Sequence, residues 1–174
     1  NDKAMQELLG ELKNIAKAEG AVYCYIKLLE GVKLLPQRKE FNSFQKPQKR
    51  IQPQQTLVID LLPPKEQIFK SLKSKTTRYN IRFAQKQGVE FVIPETIGDR
   101  EIDIFYNLAQ KSAKRDGFAN YDKDYFKKLF SISSPELSIK LFFAKRQNNY
   151  IAANIFVFFG KTAVHLFGGF DHEF

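Results

Sequence analysis

The last third of the chain constrains the fold most. LSIKLFFAKR (137–146), YIAANIFVFFG (150–160) and AVHLFGGF (163–170) are three runs rich in β-branched and aromatic residues. Only short polar turns separate them. Asn148-Asn149 and Gly160-Lys161 supply residues that tolerate positive φ. Two consecutive hairpins are expected, an antiparallel meander. A doubly wound parallel sheet is excluded here, because parallel strands need long crossovers.

Upstream, the pattern alternates. Residues 3–19 read as a helix, with Met5, Leu8, Leu9, Leu12, Ile15 and Ala16 at helical spacing and Gly20 as the stop. AVYCYIKL (21–28) and TLVIDLL (56–62) read as strands. Between them, residues 37–55 read either as an extended connection anchored by Phe41 and Phe44 or as a mobile linker. Pro63-Pro64 opens a helix expected over 65–87, with Gly88 as its cap. A short strand follows at 89–93. A helix is expected from Asp99 or Arg100 to Asp116, with Ile102, Phe105, Leu108, Ala109 and Ala113 on one face and Gly117 ending it. Asp122 caps a further short helix. The fold class is therefore mixed α/β (α+β), with a mainly antiparallel sheet flanked by helices.

With 43% apolar residues, 17 of them Phe, the chain can build a core. It has no apolar run of the roughly eighteen residues that suggest a membrane span, and its first apolar stretch is amphipathic rather than a secretory h-region. Lone Cys24 cannot form an internal disulfide and fits a reducing compartment. Its place in a strand-like run makes a buried thiol the expectation. No Cys/His cluster has zinc-ligand spacing. The start at Asn1, and the end at GGFDHEF directly after a strand, suggest a piece of a longer protein, incomplete at both ends.

The net charge of +9 is local: residues 1–90 hold 17 basic and 9 acidic residues, and the remainder is nearly balanced. KSKTTRYNIRFAQKQGVEF (73–91) has five basic residues and no acid before Glu90. On a helix, Lys75, Arg78, Arg82 and Lys86 form one ridge beside a stripe of Leu72, Thr76, Tyr79 and Phe83, which is expected to face the core. Like charges at this spacing cost a few tenths of a kcal/mol each, an order-of-magnitude figure of about 0.2–0.5. The ridge reads as a surface for phosphates, nucleic acid included, or more plainly as a solvated face.

SKTTRYNIRFAQKQGVEF resembles the signature helix of the FemABX peptidyltransferases. IQPQQTLVIDL resembles the strand before that helix. FYNLAQKSAKRDGFANYDKDYFKKLF and FFAKRQNNYIAANIFVFFGKTAVHLFGG resemble two later blocks, in the family's order. The resemblance covers about residues 50–170, and more loosely residues 1–36.

It implies two acetyltransferase-like (GNAT-like) domains. Residues 1–55 would be the end of the first plus a connection, and 56–174 the N-terminal and central part of the second. It implies transfer of an amino acid from aminoacyl-tRNA, the co-substrate, to the stem peptide of a lipid-linked or UDP-linked peptidoglycan precursor, with no cofactor. The place would be the cytoplasm or the inner membrane face, with peripheral contact to an anionic surface. By resemblance Tyr125, Tyr121, Phe167 and Arg115 are substrate-binding. Tyr121 stands where a relative has a phosphate-binding arginine, and Phe167 where the family has a tyrosine. A proposed base aligns with Lys27, so no catalytic residue is assigned. An activated ester and an amine need mainly positioning and a route for one proton.

Plainer readings stand beside these. Tyr125 also suits packing. Arg115-Asp116-Gly117 also suits a helix end. His165 suits a structural strand residue. Asp60 reads as a satisfied buried acid or a functional one, and Gly168-Gly169 as a close approach to a ligand or a bulge. The competing functions are an acyl-CoA-dependent N-acetyltransferase, and a non-catalytic RNA-binding module.

Overall fold

The computed structural model describes residues 2–24, 56–132 and 134–173. It divides into two compact units, Asn1–Val58 and Ile59–Phe174. In the first, α1 (Asp2–Ala18) matches the expected helix to within one residue at each end. Residues 21–24 form no strand, while residues 25–28, Lys27, Phe41, Phe44 and the connection 37–55 lie outside the described residues. Cys24 is exposed, which corrects the expected buried thiol: its stretch has no ladder to bury it.

Residues 56–62, expected as a strand, are extended but unpaired among the described residues. Leu57 and Val58 are over 80% exposed. A strand exists only through a neighbour's hydrogen bonds, and here the local chemistry wins. The exposed Asp60 carboxylate accepts a hydrogen bond from the Leu62 amide at 3.0 Å and bends the chain before the prolines. Asp60 is therefore neither buried nor part of a ladder.

In the second unit the helix expected over 65–87 is two helices, α2 (Lys65–Ser71) and α3 (Lys75–Lys86). Ser74 explains the break. Its backbone is extended, and its Oγ accepts from the Thr77 amide at 3.3 Å as the cap of α3. No residue of α3 is buried. Tyr79 and Phe83, expected to face the core, stack on each other at 6.0 Å in a largely exposed pair. Arg146 holds the end of α3 by donating to the Gln87 backbone and side-chain carbonyls at 3.2 and 3.0 Å.

β1 (Glu90–Val92), β2 (Leu137–Arg146), β3 (Asn149–Phe159) and β4 (Thr162–Phe170) form one antiparallel sheet in chain order. The first hairpin turn is Gln147-Asn148, at φ 48° and 67°, rather than Asn148-Asn149, because Asn149 already pairs with Arg146. Two successive positive φ values give the turn whose twist matches the flanking strands. The second turn is at Gly160-Lys161, as expected.

α4 (Asp99–Asp116) and α5 (Lys123–Ser131) complete the core. All five apolar residues expected on the α4 face are buried. Phe105 meets Phe126 of α5 edge to face at 4.9 Å, and the pair packs with Leu141, Phe143, Ala153 and Ile155 of the sheet. The fold is mixed α/β with an antiparallel sheet, as the meander implied.

α4 lies unusually close to β4. A Cβ on Gly169 would stand 2.4 Å from the Ala109 amide nitrogen. Gly169 thus admits the helix backbone, not a ligand. Side chains fix the crossing: Ser112 Oγ accepts from the Phe170 amide at 2.9 Å, and Lys111 pairs with the buried Asp171. That ammonium, with the Glu173 amide, holds the Asp171 carboxyl below the ordinary aspartate range.

Gly169→Ala should cost about 1–3 kcal/mol, the usual penalty for forcing a methyl into a packed contact. Urea unfolding checks this, and an unchanged midpoint would mean that α4 and β4 do not touch there. Because the Asp171 pKa is depressed on folding, its stabilisation is present above about pH 4 and lost as pH falls through the lower folded value. The melting-temperature gap between wild type and Asp171→Asn should therefore be constant near neutrality and close in acid. A gap independent of pH would rule out the ion pair as its source.

Candidate functional site

Asp122 builds the site from the backbone outward. Its carboxylate accepts from the Tyr125 amide at 2.7 Å and starts α5. Tyr125 therefore lies in the first turn, and Tyr121 just before it. Their rings stack at 4.2 Å with 16° between planes. Phe167 of β4 closes the group edge-on, 5.7 Å from Tyr121 and 5.9 Å from Tyr125. Buried Phe126 is the floor, 5.4 Å from both Tyr125 and Phe167. The three aromatic residues singled out in the sequence thus form one cluster, although 42 positions separate Tyr125 from Phe167.

A strand irregularity aims Phe167. Ile155 pairs with Phe167, but the next pair is Phe156 with His165, so Leu166 is extra. The bulge keeps Phe167 on the α5 side and puts His165 beside Phe156 on the opposite face. There His165 Nε2 lies 2.9 Å from Asn154 Oδ1. Gly168 gives this pair room, since a Cβ on it would lie 2.6 Å from Asn154 Oδ1.

The cluster is half exposed: Tyr121 is 53% and Tyr125 37% exposed. Burial, and then the neighbouring Tyr121, push the Tyr125 phenol above the ordinary tyrosine range. Both hydroxyls lack a hydrogen-bond partner among the described residues. Tyr125 thus presents a neutral O–H at physiological pH. Asn120 was missed in the sequence. Its Oδ1 accepts from the Tyr121 amide at 3.0 Å, and its buried Nδ2 has no partner among the described residues. Its signal was faint: an amide side chain in the loop between two helices, GFANYD. The cluster thus offers flat apolar rings and two phenol O–H donors.

Arg115 is held elsewhere. Its guanidinium donates to both Asp116 oxygens at 2.7 and 2.6 Å and lies 4.0 Å over the Phe170 ring. The pairing raises the Arg115 pKa and lowers that of Asp116. A substrate would have to displace Asp116 to use this fork.

The basic ridge is divided. Lys75 and Lys86 are exposed and free of ion pairs among the described residues. Arg78 turns back to donate to the Leu72 carbonyl, which the helix break leaves open. Arg82 lies 5.1 Å over Phe69 of α2.

A mixed α/β unit whose helix pair and meander meet at an aromatic cluster defines the class. The chain belongs to the FemAB family, whose model matches residues 33–145. It is 27% identical over 156 residues to the lipid II:glycine glycyltransferase of Staphylococcus haemolyticus (strain JCSC1435), covering 83% of this chain and 36% of that protein. The chain thus spans about a third of the length of that relative.

Tyr125→Phe should delete a phenol that ionises above the ordinary tyrosine range in an alkaline ultraviolet titration. Loss of an early step instead would place Tyr125 in water.

Proposed function

We propose that the chain is part of an aminoacyltransferase that moves an amino acid from aminoacyl-tRNA to the stem peptide of a peptidoglycan precursor. Family membership supports the reaction class, and the named activity of the staphylococcal relative supports the acceptor. The observation that carries the reading is the convergence of Tyr121, Tyr125 and Phe167 in one half-exposed cluster.

The reaction is aminolysis of an ester. The acceptor amine attacks the aminoacyl carbonyl, a C–N bond forms, and the C–O bond to the tRNA ribose breaks. The amine proton leaves, and the ribose oxygen gains one. The ester is already activated and no cofactor is required, so holding amine and carbonyl in contact supplies most of the acceleration. The stacked rings hold the acceptor peptide. The Tyr125 hydroxyl donates to one of its carbonyls. Lys75 and Lys86 face the tRNA backbone. The two units are the end of one GNAT-like domain and the larger part of a second, at the cytoplasmic face of the membrane.

The complete protein, given labelled aminoacyl-tRNA and labelled acetyl-CoA with lipid II or the UDP-linked pentapeptide as acceptor, should transfer label only from tRNA. Tyr125→Phe should lower that transfer about tenfold, the equivalent of one hydrogen bond worth about 1–1.5 kcal/mol. The melting temperature should stay the same. Transfer from acetyl-CoA alone would make the protein an acetyltransferase. A large drop in melting temperature would return Tyr125 to packing.

A further inference from the structure

Between α2 and α3 lies a cleft of about 710 Å³, within the range of small-molecule sites. Its floor is apolar: Ile68, Phe69, Leu72 and Ile81. Four cations rim it, Lys65, Lys70, Arg78 and Arg82, against the single carboxylate of Glu66. None of the four is ion-paired among the described residues. The two arginines are placed rather than loose. Arg78 is tied to the Leu72 carbonyl, and Arg82 lies over the Phe69 ring, so both charges stand at the edge of the apolar floor. Each guanidinium keeps free N–H groups in a planar fork that fits phosphate oxygens.

A nucleic-acid backbone has no use for a floor of isoleucine and leucine, and a fatty acyl chain has no use for four cations. A molecule carrying a phosphate a few bonds from apolar chains uses both. We propose that the α2–α3 cleft binds the phosphate headgroup of an anionic membrane phospholipid, with the first methylenes of its chains against Ile68, Phe69 and Leu72. The cleft then attaches the protein to a bilayer surface, with charge attraction and apolar burial acting together. This attachment does not rest on the transferase reading.

The test is co-sedimentation of the full chain with vesicles of phosphatidylcholine, with and without one quarter phosphatidylglycerol. Binding should require phosphatidylglycerol. Arg82→Gln and Phe69→Ser should each weaken it by about five- to tenfold, and Lys86→Gln, on α3 outside the cleft, by less than about twofold. If Arg82→Gln lowers the melting temperature, Lys70→Gln on the opposite wall serves in its place. Equal losses from Lys86→Gln and Arg82→Gln would mean diffuse attraction and overturn the site. So would no effect of Phe69→Ser, or binding to phosphatidylcholine alone. Displacement by millimolar inorganic phosphate at constant ionic strength would identify a free-phosphate site instead. Loss of tRNA binding, with vesicle binding intact, would assign the cleft to RNA.

Discussion

The helix α4 rests on β4 backbone to backbone, and the absence of a side chain at Gly169 allows it. Neighbouring residues follow this approach. Ala153, paired with Gly169 on the adjacent strand, is small and fully buried, as is Ala109 above it. Larger side chains, Phe105 and Leu108, fill the space to either side. Ser112 and Lys111 then lock the helix to the end of the strand. With α4 fixed, its left-handed stop at Gly117 fixes where the next loop leaves. That loop carries Asn120, Tyr121 and the cap Asp122. The aromatic cluster is thus assembled at a distance from the contact that positions it.

Charge is distributed in keeping with this division. On α4 and α5, acids and bases meet: Asp99 pairs with Lys127 at 2.8 Å, and Asp103 with Lys123. Exposed pairs of this kind add little stability. On α2 and α3 the cations are free of ion pairs among the described residues. The same unit therefore presents an aromatic cluster beside paired charges, and a basic cleft with an apolar floor. Two chemically different partners, or two parts of one amphipathic partner, can be accommodated without competing for the same residues.

The meander, the two helices after it in importance, and the buried face of α4 were legible in the sequence. Their signals are repeated along the chain: alternating apolar runs, Ile102 through Ala113 at helical spacing, Gly and Asn at turns. The grouping of Tyr121, Tyr125 and Phe167 was legible only through resemblance to a family, since nothing in the spacing of Phe167 links it to α5. The break between α2 and α3 was present in the sequence as Ser74 ahead of Thr77, but a continuous helical pattern masked it. The strand expected at 56–62 shows the opposite error. Its composition suits a ladder, yet a ladder belongs to two segments, and composition describes one.

What the sequence by itself determined is local: where helices start and stop, which face of α4 is apolar, and where the chain reverses. These follow from backbone sterics and side-chain period, which act within a few residues. Tertiary structure decided the rest. It tied Arg78 to a carbonyl and set Arg82 on a ring, where the pattern alone put both on an outward ridge. It inserted Leu166 as a bulge, so that Phe167 and His165 face opposite ways. It left the Asn120 Nδ2 buried without a partner among the described residues. In each case the outcome depends on which distant group lies within hydrogen-bonding or van der Waals reach, a quantity that sequence separation does not encode.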